Sequence, residues 1–405
     1  QVPLAELEGV QEHLASVGGN TLLVTSGQAL MNSMINGHEQ PAVLSAVMKQ
    51  QMTTRMRQNI NDGMDVLGGA GICNGPANFM GNPYMAIPIA ITVEGANTLT
   101  RSLIIFGQGL TRSHPHLLDI IHSIQHGDDM PGFNKALGNI IGHGVTNSAR
   151  SFTRAFTRSR FVGSDPAAYY ASQLDRLTAA FAYCSDIALT MGGKIKFAEM
   201  LSGRYADVLS GLFLGYSTLW YASHHKHVKG LDKVTDFTMQ RTLADIEDAF
   251  FGIFANFPSK TFALAMRGVA FPTGRCYQPP SDTLSQEVAQ LVSTDSAVRE
   301  LFKQNVFLSK DPMHRMTLID ATLPKAVQAD AILRTLRREK REATADEQAL
   351  IDEVEAAREI IIQVDSFPGL GKEMLAGRDF SAENRPALDD IYGTKTGGGA
   401  KSVAA

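Results

Sequence analysis

Apolar residues recur at three- and four-residue spacing along most of this chain, the repeat of an amphipathic helix, and strand-like alternation between turns is scarce. Leu4, Leu7, Val10, Leu14 and Val17 open the first series and predict a helix over residues 4 to 36; Gly18-Gly19 weakens it without ending it. A second helix starts at Pro41, a favoured first-turn residue, and runs through Val47, Met52, Met56, Ile60 and Met64. It should stop at Gly68-Gly69, where positive φ is open to a C-terminal cap. A glycine- and proline-containing loop follows, from Ile72 to about Pro83, and a third helix should follow Glu94 and end near Gly107-Gln108-Gly109. From His114-Pro115 to about residue 270 the pattern predicts long helices, with loops at Gly127–Pro131, Gly163–Pro166 and Gly192-Gly193. The segment Phe271-Pro272-Thr273-Gly274-Arg275 through Pro279-Pro280 is a clear break. Shorter helices fill 283 to 322, and 324 to 363 reads as a helical hairpin whose second helix opens on a capping-box pair, Thr344 and Glu347. The tail beyond 390, with Gly397-Gly398-Gly399, is expected to be disordered. The fold class is all-α.

Composition narrows the function classes. The 405 residues suffice for two or three domains, and the net charge of -4 is spread without a basic face, which argues against nucleic acid as a partner. Cys73, Cys184 and Cys276 lie far apart, with neither metal-ligand spacing nor a disulfide framework, so inert thiols in a reducing cytoplasm are expected. No apolar run approaches the roughly 20 residues of a membrane span. The start, Gln1-Val2-Pro3, reads as the middle of a longer protein. His224, His225 and His227 fall around a helix end instead of on one face; with Lys226 among them they read as solvated, and no metal site is expected. His114 and His116 beside Pro115 read as structural, and Asp128-Asp129 as a turn. The charges from Arg334 to Glu342 read as a solvated helix face.

One acid is differently placed. Glu94 is the only charge between Ala86 and Asn97, preceded by Ile89, Ile91 and Val93 and followed by Gly95. A carboxylate partly desolvated by such neighbours makes a better base. Glycine lets a ligand approach the backbone, so a base beside an open N–H suits proton abstraction next to a carbonyl. The same residue would also serve as an ordinary helix N-terminal carboxylate.

Asp65-Val66-Leu67-Gly68-Gly69-Ala70-Gly71, then Val93-Glu94-Gly95 and Arg101, resembles the acyl-CoA dehydrogenases in the order of its elements. Ile91 to Asn97, Ile104 to Gly109, and Phe271 to Arg275 with Tyr277 resemble the bacterial long-chain members, which carry an added helical C-terminal region. The resemblance implies an all-α arrangement. Residues 1–110 would form part of the family's C-terminal helical bundle, 111–390 the added helical domain, and 391–405 the tail. It implies FAD-dependent α,β-dehydrogenation of medium- to long-chain fatty acyl-CoA to trans-2-enoyl-CoA in fatty-acid β-oxidation, with electrons passed to an electron-transfer flavoprotein. Glu94 would be the base, Gly95 would lie beside the acyl chain, and Ala96, Asn97 and Thr98 would touch the flavin. Gly68 and Gly69 would meet the adenine-nucleotide half of FAD from a neighbouring subunit of a homo-oligomer. A cytoplasmic location, with peripheral contact to the inner membrane, also follows from the resemblance.

Three positions depart from many relatives: Asp65 stands where glutamine is common, Val93 where an aromatic is common, and Ala96 where threonine is common. The family's N-terminal helical domain and β-domain have no counterpart in the sequence, so the chain alone is expected not to hold FAD tightly. A non-catalytic helical scaffold or membrane-docking module is the alternative from another class.

Overall fold

A computed structural model describes residues 3–73, 75, 77–125, 130–157 and 165–364; the Asp128-Asp129 turn and the tail from 391 lie outside them. The described residues form helices and turns with no strand, so the all-α expectation holds. We number the principal helices α1 (Glu8–Asn36), α2 (Ala42–Leu67), α3 (Gly81–Thr92), α4 (97–113), α5 (Leu117–Gln125), α6 (Met130–Thr157) and α7 (Pro166–Ala188). They continue as α8 (Glu199–His224), α9 (Leu231–Asn256), α10 (Lys260–Ala270), α11 (Asp282–Ser293), α12 (Ala297–Lys303), α13 (Arg315–Glu339) and α14 (Ala345–Ile361).

The glycine pair in α1 has a packing reason. A Cβ on Gly18 would lie 2.9 Å from Val292 of α11, and one on Gly19 2.8 Å from Phe237 of α9. The helix gives up propensity there so that its neighbours can close on it. The core runs across residue 110. Leu23 and Met31 of α1, Val47 of α2 and Phe106 of α4 pack with Leu174 of α7, Tyr205 and Val208 of α8, and Phe250 of α9. Phe106 stacks on Tyr205 with ring centroids 4.3 Å apart. Each large apolar side chain fully buried here contributes roughly 1.5–3 kcal/mol.

Several boundaries differ from the sequence reading, among them the hairpin's first helix, which begins at Arg315 and not at 324. The apolar run before Glu94 is itself helical from Gly81, sooner than the loop read to Pro83 allows. The helix after Glu94 does not end at Gly107-Gln108-Gly109 but continues to Ser113, with Thr100–Gln108 wound as a π-helix. Gly109 packs closely inside it, a Cβ there lying 3.3 Å from Val43 of α2. The Thr344–Glu347 capping box forms as expected.

The break at 271–280 has a physical explanation that the sequence alone withheld. Phe271 is buried among Phe250, Phe251 and Phe254. Buried Glu247 accepts the N–H of Cys276 at 2.7 Å and of Tyr277 at 3.4 Å. Arg176, also buried, donates to Tyr277 Oη at 3.0 Å and to the Ala270 carbonyl at 3.3 Å. Arg275 lies over Phe251 and pairs with Asp248. The segment is thus a strap pinned to α7 and α9. Burial pushes the Glu247 carboxyl above its ordinary range against the pull of those two N–H donors and of Arg275 and Arg176.

Candidate active site

α3 ends at Thr92, and residues 93–96 turn the chain into α4. Glu94 occupies the turn at φ +56°, a left-handed conformation that costs a non-glycine residue roughly 1–2 kcal/mol. Gly95 follows at φ +89°. Something must hold this turn, and the residue that does so is Lys49 of α2. Its Nζ donates to Gly95 O at 2.7 Å and to Asn97 Oδ1 at 2.8 Å, with a longer 3.4 Å contact to Ile91 O. Ile91 lies in the last turn of α3, where the helix dipole favours a cation. Thr100 Oγ1 adds a 3.2 Å bond to Gly95 O.

The sequence-predicted residues of this turn fall on two sides. Glu94, Ala96 and Thr98 are exposed, and Gly95 is half-buried. Asn97 is buried and faces inward: its amide nitrogen donates to Thr53 Oγ1 at 2.8 Å and Thr54 Oγ1 at 3.1 Å. Its side chain therefore anchors the loop to α2 and is not presented outward with its neighbours. The desolvation expected for Glu94 is also absent, because the surrounding face is open. Ile89, Val93 and Leu99, its neighbours along the chain, are each about half exposed or more. Among the described residues no backbone acceptor takes the Glu94 N–H.

Gly68 and Gly69 lie at the other end of α2. Gly68 has φ +56° and ψ −128°, which requires glycine, and its N–H caps Met64 O at 2.9 Å. A Cβ on either glycine would meet nothing within 4 Å, so Gly69 answers to no packing need of this chain. Asn78 stitches the turn, donating to Gly71 O at 2.6 Å and Cys73 O at 2.9 Å while accepting the N–H groups of Met80 and Gly81. Asp65 is exposed. Gly68 stands nineteen positions beyond Lys49, about 28 Å along α2. The structure therefore does not bring the glycine turn and the Glu94 turn into one site within the chain.

Lys49 and Asn78 were not singled out from sequence. A lone lysine in an amphipathic helix and an asparagine in a loop carry no spacing signal; their roles exist only after α2, α3 and the turns meet. Arg101, seven residues past Glu94, pairs with Asp207 of α8 (Nε–Oδ1 2.7 Å), tying α4 to the later helices.

Comparison with known proteins bears on this geometry. The sequence profile of the family described as acyl-CoA dehydrogenase, C-terminal, bacterial type, matches residues 111–362. A crystal structure of an acyl-CoA dehydrogenase complexed with FAD from Bacillus anthracis has a similar fold, with a TM-score of 0.55 at 15% identity. The similarity covers 72% of this chain and 50% of that one, so the chain spans about half the length of the solved relative.

Proposed function

The chain belongs to the bacterial-type acyl-CoA dehydrogenase family, and on that premise we propose that the protein oxidises medium- to long-chain fatty acyl-CoA to trans-2-enoyl-CoA in fatty-acid β-oxidation, with Glu94 as the base. The observation that carries this reading is the Lys49-held turn, which presents a carboxylate and its own uncommitted N–H on an open apolar face. The α-proton of a thioester is too weakly acidic for a carboxylate unless the developing oxyanion is stabilised. The Glu94 N–H is placed to donate to the thioester oxygen while the carboxylate takes the proton; one aimed donor is worth roughly 3–4 kcal/mol in other enzymes. Ile89, Val93 and Leu99 are apolar surface on which an acyl tail can lie and from which water is displaced.

The residues fit FAD as the cofactor. Ala96 and Thr98 stand exposed beside Glu94, and the open, Cβ-free surface at Gly68-Gly69 suits the close approach of a pyrophosphate to Gly69, the Gly68 N–H being held by Met64 O. The distance between these two places suits a homo-oligomer in which the glycine turn serves a neighbouring subunit's cofactor. FAD, when bound, supplies the acceptor for the β-hydrogen as hydride. An electron-transfer flavoprotein as onward acceptor, and a cytoplasmic location, belong to the same reading.

Glu94→Gln in the full-length protein is the direct test. Enoyl-CoA formation should fall roughly 10²- to 10⁴-fold with acyl-CoA binding retained. Undiminished turnover in that variant removes Glu94 as the base, and absence of turnover in the FAD-loaded wild type removes the enzyme reading.

A docking role has one observation in its favour. α6 exposes Leu137, Ile141, Val145, Phe152 and Phe156, carries Lys135, Arg150 and Arg154, and has no acid. This composition suits peripheral contact with an anionic membrane, and among the described residues no helix is long and apolar enough to cross one. Co-sedimentation with anionic vesicles, lost in Phe152→Ser/Phe156→Ser, tests it; no sedimentation of the wild type rejects it.

A further inference from the structure

His114, His143 and Asp186 come from three separate elements: the link from α4 to α5, the middle of α6, and the end of α7. The sequence reading took His114 as merely structural, and His143 and Asp186 carried no spacing signal. Packing brings His114 Nε2 to 3.0 Å and His143 Nδ1 to 2.9 Å from the same oxygen, Asp186 Oδ1. Asn147, one turn beyond His143, donates to Asp186 Oδ2 at 3.1 Å.

Asp186 is a carboxylate with a side chain only 6% exposed, and both of its ion-pair partners are imidazoles, those of His114 and His143. Buried charges in proteins are normally paired or hold a metal. The cluster opens on a cavity of about 360 Å³ whose other walls are mostly apolar, Phe106, Leu110 and Phe181 among them. Ser185 lines the same cavity, and its Oγ is buried without a hydrogen-bond partner. A solvent molecule held at the cluster is the natural partner for that hydroxyl.

We propose that His114, His143 and Asp186 form a binding site for a divalent transition-metal ion of the zinc class, with an open position facing the cavity. Two imidazoles and a carboxylate are a donor set suited to such an ion and poor for Mg²⁺ or Ca²⁺, which prefer oxygen. The three donor atoms lie within 4.8 Å of one another. On a shared tetrahedral ion they would stand roughly 3.3–3.5 Å apart, so loading opens the 3.0 and 2.9 Å nitrogen–oxygen distances slightly and needs a contraction of up to about 1.4 Å across the widest pair. His143, with its side chain 29% exposed, is the member free to make it. Asn147 then orients the carboxylate from behind, as outer-shell groups do. The local hydrogen bonds must change: the two imidazole bonds to Asp186 Oδ1 give way to the ion, and the His143 proton moves from Nδ1 to Nε2. The His116 N–H donates to His114 Nδ1 at 3.2 Å and keeps the His114 proton on Nε2. Binding through Nε2 moves that proton to Nδ1 and releases the His116 amide.

The test is metal titration of metal-stripped full-length protein with Zn²⁺ against a chromophoric chelator, repeated with Co²⁺ for the visible absorption of a four-coordinate ion. It needs no acyl-CoA, so it succeeds or fails independently of the dehydrogenase reading. One equivalent should bind, His143→Ala should weaken it by more than about 100-fold, and Asn147→Ala by about 10-fold. Hydrogen exchange at the His116 amide should quicken on loading. His143→Gln, checked by circular dichroism, replaces His143→Ala if the latter misfolds. Failure to bind an equivalent of Zn²⁺ overturns the proposal. So does affinity unchanged in the His143 variant, which places the ion at exposed histidines such as His224 and His227.

Discussion

Lys49→Met keeps the aliphatic stem and removes the charge that holds the Glu94 turn. Two charge-assisted hydrogen bonds disappear, to Gly95 O at 2.7 Å and Asn97 Oδ1 at 2.8 Å. Bonds of this kind contribute about 1.5–3 kcal/mol each when buried. Lys49 is only half-buried, and water replaces part of what is lost. Gly95 O also keeps its bond from Thr100. About 2 kcal/mol for the pair is therefore the working figure. That is comparable to the roughly 1–2 kcal/mol that Glu94 loses by adopting positive φ, so the turn should no longer be held in one conformation. A loss of 2 kcal/mol in placing the base corresponds to about a 30-fold fall in kcat. KM should change little, because Lys49 is directed at the loop and not at the open face. The assay is steady-state enoyl-CoA formation, paired with amide hydrogen exchange over residues 93–100 on the protein alone. Lys49→Arg should recover only part of the loss, since its longer planar head reaches the two oxygens differently. Unchanged exchange protection in Lys49→Met would refute the claim that this lysine holds the turn, whatever the activity.

Other substitutions probe the frame. Gly203→Ala places a Cβ 2.5 Å from Arg101 Nη1 and should displace the Arg101–Asp207 pair; a loss of about 1–3 kcal/mol in urea unfolding is expected. Arg176→Leu strips the strap at 271–280 of its bonds to Tyr277 Oη and Ala270 O and leaves Arg275 as the cation beside buried Glu247; destabilisation of about 1–3 kcal/mol should appear in the same assay. His13 is raised above 6.5 by its hydrogen bond to Asp62, 2.9 Å away. Its contribution to stability is complete below 6.5 and is lost as pH rises through the higher folded value. Melting temperatures on either side of that window should differ slightly in the wild type, and His13→Gln should flatten the difference.

The sequence carried the helices well and the site unevenly. Periodicity placed α1, α2 and the existence of the C-terminal hairpin, because a buried face imposes a 3.6-residue repeat wherever the partner lies; it started the hairpin at 324, whereas α13 begins at Arg315 and runs through Pro324. It misjudged the end of α4, where glycines that usually stop a helix continue it, with Gly109 packed closely against Val43. Glu94 and Gly95 were visible because an acid and a glycine interrupt an apolar run. Lys49 and Asp207 were not, because each acts on a segment tens of residues away, and Asn78 was not, because a loop asparagine bonding its near neighbours has no spacing signal. The inward turn of Asn97 was hidden for the same reason: Thr53 and Thr54 of α2 decide it.

The seam between α4 and α8 has a consequence for how the molecule comes apart. Ile105 and Phe106 are solvent-free only because Tyr205 and its neighbours cover them. The segment bearing the reactive turn thus borrows its interior from chain made a hundred residues later. During synthesis it must wait for α8 before it can settle. Heat or denaturant should dismantle both regions in one cooperative step, and expressing residues 1–110 alone should yield an aggregating fragment instead of a miniature of the whole.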